Sequence, residues 1–267
     1  MSLYNLIEPK VDKVPILISV PHCGTDFPEE IKSGYNDELT KAPDDTDWFV
    51  DKLYDFAPEM GIAMITANYS RWVIDLNRDP ESEPLYNDGR IITDLCPTTT
   101  FAGEPIYKEG HMPGGKEIER RLKEYYWPYY TKIDEILSGL KAEFGKVLFW
   151  DAHSIRQYVP LIRDEVFPDL ILGDNNEMTA HKNLINASLD ALSTKRLKLE
   201  HNYPFRGGHL TRYFGKPQEN QHALQLEMSK INYMDNKELH YDEERAGHIR
   251  SLLQDNFKAL IETLNTL

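Results

Sequence analysis

Two histidines, His22 and His153, each follow a dense apolar run, VPILISV at 14–20 and VLFW at 147–150. Imidazoles placed this way can hold a transition metal, and zinc on three protein ligands lowers the pKa of a bound water to about 7. Amide hydrolysis at neutral pH needs that activated water, together with stabilisation of the oxyanion that forms. Taken singly, each histidine reads equally well as a hydrogen-bonded core or loop residue; the repeated context favours a ligand pair. No HExxH occurs, so a helical zincin motif is not the source of a metal site. A third ligand would be a carboxylate. Asp26 lies four residues after His22, and Asp44, Asp45 and Asp47 cluster ahead of an apolar stretch. The same acids suit a helix N-terminus, so spacing alone leaves the choice open.

Other residue types extend this chemistry. Glu227 interrupts the apolar run ALQLEM at 223–228. Facing solvent it needs no function; facing a crevice it is a general base, because a lone buried carboxylate is otherwise costly. Asp151 could orient His153 or simply end its strand. Arg71 and Arg78 bracket WVIDLN, and Arg212 follows the glycine pair Gly207-Gly208, itself readable as a flexible segment or a plain hairpin turn. Guanidinium forks grip carboxylates bidentately, though each could equally pair with one of the 44 acidic residues. The aromatic stretch YYWPYY at 125–130 reads as packing, since no basic residues interleave it. Cys23 adjoins His22, but neighbouring side chains point apart, which disfavours a Cys–His nucleophile.

Positioning these residues takes a substantial fold. The 267 residues can bury a large core, and 40% hydrophobic with 28% charged residues is ordinary for a soluble globular protein. A net charge of −14 disfavours nucleic acid and anionic membranes and requires any anionic substrate to find a locally positive pocket. Two cysteines are too few for a disulfide framework, and free thiols fit a reducing compartment. The N-terminus does not read as a signal peptide and no run reaches bilayer length, so a cytoplasmic location is expected.

Apolar runs predict strands at 14–20, 62–68, 72–76, 147–150, 170–172, 197–201 and 223–228. Helical periodicity predicts helices over 46–60, over 116–144 with a break or kink at Pro128, and over 242–264. Residues 79–115 read as a long functional loop. The alternation implies a single α/β domain over 1–267, with a mixed, largely parallel sheet flanked by helices. Ligands of such sheets gather beyond the carboxyl ends of the strands, where His22, Asn77, Arg78 and His153 would share a crevice.

Ordered motifs add a resemblance. PHCGT at 21–25, DTDW at 45–48, LYDFA at 53–57, ANYSRWVIDLNR at 67–78 and LCPTTTFAGEPIY at 95–107 come first. WDAHSI at 150–155, PDLILG at 168–173, GGHLTRYFG at 207–215 and HALQLE at 222–227 follow in order. Together they resemble the N-formylglutamate amidohydrolase family along nearly the whole chain. The resemblance implies a zinc carboxypeptidase-like (phosphorylase/hydrolase-like) architecture and a metal held by His22, His153 and Asp47, with Asp45 as the rival carboxylate. It implies Glu227 as general base, Arg71 polarising the scissile carbonyl or holding a carboxylate, and Asn77, Arg78 and Arg212 binding a small dicarboxylate N-acyl amino acid. The expected reaction is hydrolysis of N-formyl-L-glutamate with Zn2+, although other divalent transition metals suit a mixed N/O site. A related deacylase or exopeptidase with another N-acyl substrate, or a non-catalytic metal-stabilised binding protein, are the rival readings.

Overall fold

The computed structural model describes residues 2–81 and 94–267; part of the loop expected over 79–115 lies outside the described residues. The first half of the chain forms β1 (Tyr4–Ile7), β2 (Ile16–Val20), α1 (Glu29–Lys32), α2 (Val50–Leu53) and β3 (Ala63–Ala67). Next come α3 (Gly115–Arg121), α4 (Trp127–Phe144), β4 (Val147–Ile155), β5 (Leu170–Gly173) and α5 (Lys182–Leu192). The chain closes with β6 (Leu199–His201), α6 (His209–Phe214), β7 (Gln221–Ser229) and α7 (Glu243–Thr266).

One seven-stranded sheet results, in the order β1-β3-β2-β4-β7-β5-β6. Strands β3, β2, β4 and β7 run parallel, β1 is antiparallel to β3, and the parallel pair β5–β6 joins β7 antiparallel. The mixed α/β architecture expected from the sequence is therefore present. Alternation along the strands feeds two cores. Ile16, Ile18, Leu148, Trp150, Leu224 and Leu226 pack under α5 and α7, while Leu17, Val147, Phe149 and Ala223 pack under α4. Asp242 caps α7 by accepting from the Glu244 and Arg245 amides at 3.1 and 3.0 Å. No helix among the described residues is long and apolar enough to cross a membrane.

Several local expectations are overturned. The run 72–76 forms no strand; its backbone turns, with the Val73 amide donating to Ser70 O and the Arg78 amide to Asp75 O. Burial of Trp72, Val73 and Ile74 in the α4-side core, at roughly 1.5–3 kcal/mol for each large side chain, holds the segment without a ladder. The expected helix over 46–60 is split into α2 and a 3₁₀ turn at Ala57–Met60, with Phe49 at φ +63° just before α2. The helix over 116–144 absorbs Pro128 through a π-helical turn at Leu122–Tyr126, after which α4 starts with that proline in its first turn. Gly207-Gly208 is not a hairpin turn: Gly208 is the N-cap of α6, a helix that the sequence reading missed along with α5 and β1.

Candidate active site

The alternation that buries Val147 and Phe149 under α4 carries Asp151 and His153 onto the same face further along β4. The same rule on β7 places Gln225 and Glu227 there, with Asp151 paired to Gln225 and His153 to Glu227 across the ladder. Polar groups occupy this end of the face, and α6 and the 70–78 segment cover them. Thr211 donates to Asp151 Oδ2 at 2.9 Å, the Gly208 backbone amide donates to Gln225 Oε1 at 2.7 Å, and the Asn77 side-chain Nδ2 lies 3.0 Å from His153 Nε2.

His22 follows β2, and its carbonyl accepts from the Asp47 amide at 2.9 Å, which ties the two loops together. The His22 and His153 rings stand 4.9 Å apart by centroid. Asp47 Oδ2 lies between them, 3.1 Å from His153 Nδ1 and 3.8 Å from His22 Nδ1, and also accepts from the Ser154 amide at 3.2 Å. The far nitrogen of each ring meets its own buried carboxylate. His22 Nε2 donates to Asp75 at 2.8 Å, and His153 Nε2 donates to Asp151 at 2.9 Å.

One ligand atom each from His22, Asp47 and His153 falls within 4.8 Å of the others, all three residues buried. His22 Nδ1 is a buried nitrogen with no hydrogen-bond partner among the described residues, aimed at Asp47. Two imidazole nitrogens and a carboxylate oxygen, each ring oriented by a carboxylate behind it, make a donor set that fits a divalent metal such as zinc. Asp45 stands outside this set, its two oxygens accepting from Trp72 Nε1 at 2.8 Å and the Phe101 amide at 3.0 Å. Asp26 is exposed and bridges to Tyr69 through its backbone, and Asp44 pairs with Arg156.

Charge balance holds the centre together. Burial pushes Asp75 up, but Arg71 at 2.6 Å and His22 hold it well below the usual carboxylate range. For His153, burial works against the Asp151 and Asp47 carboxylates, which win and raise it well above an ordinary imidazole. In His22, burial and the Arg71 charge prevail, and its pKa falls. Glu227 behaves differently. Its carboxyl makes no hydrogen bond among the described residues, and burial pushes its pKa up to about 8 against the pull of His153. A cation on the three ligands would favour its carboxylate form.

Arg71 joins the centre, buried, with its guanidinium 4.9 Å from the Phe101 ring. Asn77 is pinned, its Oδ1 accepting from the Leu210 amide at 2.8 Å, which seats its side chain between α6 and His153. Arg78 lies 3.9 Å from Asp75, and Arg212 on α6 donates to Gly207 O at 3.0 Å. The tyrosines at 125–130 pack, as expected, and two of them fix the 76–78 segment: Tyr130 and Tyr126 donate to Leu76 O and Arg78 O. The Cys23 thiol points at Val20 O and Ala67 O, and burial pushes its pKa well up. Asp75 carries no signal in the sequence beyond being an acid inside the apolar run WVIDL.

A family model described as N-formylglutamate amidohydrolase matches residues 14–234, which include all of these side chains. The chain belongs to the N-formylglutamate amidohydrolase family. It is similar to N-formylglutamate deformylases of Pseudomonas aeruginosa, 41% identical with 94% of each chain covered, and of Pseudomonas putida, 38% identical with 93% of each covered. The crystal structure of an N-formylglutamate amidohydrolase from Ralstonia eutropha JMP134 shares the fold, with a TM-score of 0.82 at 24% identity and both chains fully covered. A gene product from Agrobacterium tumefaciens superposes with a TM-score of 0.72 at 19% identity, covering 97% of this family member and 95% of that chain.

Proposed function

We propose that the protein is a metal-dependent N-formylglutamate deformylase, hydrolysing N-formyl-L-glutamate to formate and L-glutamate as a step of histidine degradation. The observation carrying this reading is the ladder pairing of His153 with Glu227, which sets a general base beside the His22–Asp47–His153 donor set. The deformylase relatives support the substrate. His22, Asp47 and His153 would hold the metal, zinc being the first choice for this donor set. Bound there, it supplies Lewis acidity toward water and the formyl oxygen.

The chain's own residues supply the rest. Glu227 takes a proton from the attacking water as oxygen adds to the formyl carbon, then returns it to the amine nitrogen as the C–N bond breaks. Arg71 polarises the formyl carbonyl and stabilises the oxyanion. Asn77, Arg78 and Arg212 orient substrate carboxylate, turning binding into alignment before chemistry. The free thiols Cys23 and Cys96 suit a cytoplasmic setting.

Formate release from N-formyl-L-glutamate, measured with metal stoichiometry, tests the proposal. Glu227→Gln is expected to retain metal and lose roughly 10²–10⁴-fold in turnover. Near-normal turnover would remove Glu227 from the base role, and no formate from the metal-loaded wild type would reject the activity.

A further inference from the structure

Immediately after β7 the chain enters a 3₁₀ turn at Lys230–Asn232, and Lys230 is only 2% exposed. Its Nζ makes one hydrogen bond among the described residues, a long one of 3.3 Å to Asp44 O, and no carboxylate oxygen there forms an ion pair with it. The acids nearby are already engaged. Arg156 clamps both oxygens of Asp44, and Asp45 accepts from Trp72 and Phe101. A buried ammonium with N–H groups to spare is costly unless an anion meets it.

Lys230 also lines a cavity of about 260 Å³, walled by the apolar Phe101, Ile155, Tyr158 and Val159 and, beside Lys230, by Arg156 and the already engaged Asp44 and Asp45. Two of its wall residues adjoin the site, one at the donor set and one at Arg71. Ser154, in its wall, donates its amide to Asp47, and the Phe101 ring lies against the Arg71 guanidinium.

We propose that Lys230 is the specificity residue of this site: its ammonium receives the side-chain carboxylate of the substrate's amino-acid half, seated in the cavity. The inference rests on the deformylase reading above and divides the two carboxylates of that substrate. The arginine side of the crevice takes the α-carboxylate, and Lys230 takes the distal one. A neutral side chain in the same cavity would leave the ammonium unpaired, which is how a site built around one charge rejects an isostere lacking it.

The test compares N-formyl-L-glutamate with N-formyl-L-glutamine, equal in shape and lacking the distal charge, on wild type, Lys230→Met and Lys230→Arg. Lys230→Met is expected to lose roughly 10²-fold in kcat/KM on the glutamate substrate, mostly through KM, with little change on the glutamine substrate. Lys230→Arg should keep part of the preference. Zinc stoichiometry should stay at the wild-type level in both. Parallel losses on the two substrates, or an unchanged glutamate preference in Lys230→Met, would overturn the assignment. If thermal melting shows Lys230→Met unfolded, Lys230→Gln takes its place. Failure of the deformylase reading has a different signature, since wild type would then hydrolyse neither substrate. Calorimetry of the zinc-loaded protein with glutarate and butyrate then decides: glutarate binding lost in the variant supports Lys230, and equal binding in wild type and variant rejects it.

Discussion

Replacing Asp75 by asparagine tests whether the charge network holds the donor set. Asp75 is fully buried, and its carboxylate accepts from Arg71 at 2.6 Å, His22 Nε2 at 2.8 Å and the Asn77 amide at 2.9 Å, with Arg78 at 3.9 Å. Asparagine preserves the shape but removes the charge, and half of its amide can no longer accept. Removing one partner of a buried ion pair costs about 3–5 kcal/mol. Arg71 keeps the fields of Asp47 and Asp45, which places the expected loss near the lower bound, about 3 kcal/mol. Against a typical total of about 5–15 kcal/mol the variant should still fold. Because the folded-state pKa of Asp75 is depressed, its contribution is complete above the unfolded carboxylate value and is lost as pH falls toward the folded one. The wild-type advantage should therefore shrink in acid. With the carboxylate behind His22 gone, metal affinity should drop roughly 10–100-fold. Urea unfolding of metal-free protein and a chelator-competition titration measure the two effects. A stability loss under about 1 kcal/mol with unchanged metal affinity would refute the anchoring role.

Two further perturbations probe other parts of the molecule. At Gly208 an added Cβ would lie 2.2 Å from Asn77 Nδ2 and 2.4 Å from its Oδ1, so Gly208→Ala must displace the side chain seated between α6 and His153. A loss of about 1–3 kcal/mol in stability is expected, with reduced metal occupancy; thermal melting and metal analysis report both. His222 is buried at the start of β7, and burial pulls its pKa down to about 4. Between the ordinary imidazole value and pH 4 the unfolded chain binds more protons, so stability falls as pH drops through that window, by about 2–3 kcal/mol. In His222→Phe this part of the pH dependence should vanish from urea unfolding curves; an unchanged slope would assign it elsewhere.

Strand-borne chemistry was legible in the sequence because period-two alternation is local: an apolar run ending in AHS or LEM announces a polar residue on a sheet face. The ladder pairing of His153 with Glu227 was not legible, since register is set by two strands about seventy residues apart. The carboxylate ligand shows the same limit. Asp45 and Asp47 are equivalent by spacing, and only the resemblance favoured Asp47. The fold separates them by sending Asp45 to Trp72 and Phe101 and Asp47 to the histidines. Asp75 was hidden because WVIDL has the composition of a strand, while the α4-side core, made by residues far along the chain, holds it as turns. Lys230 gave no signal at all, since burial of a lysine is decided by whatever closes over it.

The donor set straddles two kinds of structure. His153 stands on a central strand beside Glu227, whereas His22, Asp47 and Asp75 arrive on connecting segments. Interior strands of a sheet open only near global unfolding, and loops open at far lower cost. The set can therefore come apart by loosening 44–49 and 70–78 while β4 and β7 remain closed. On the metal-dependent reading, a chelator is expected to strip the site well before the protein denatures, and re-metallation is expected to need no refolding.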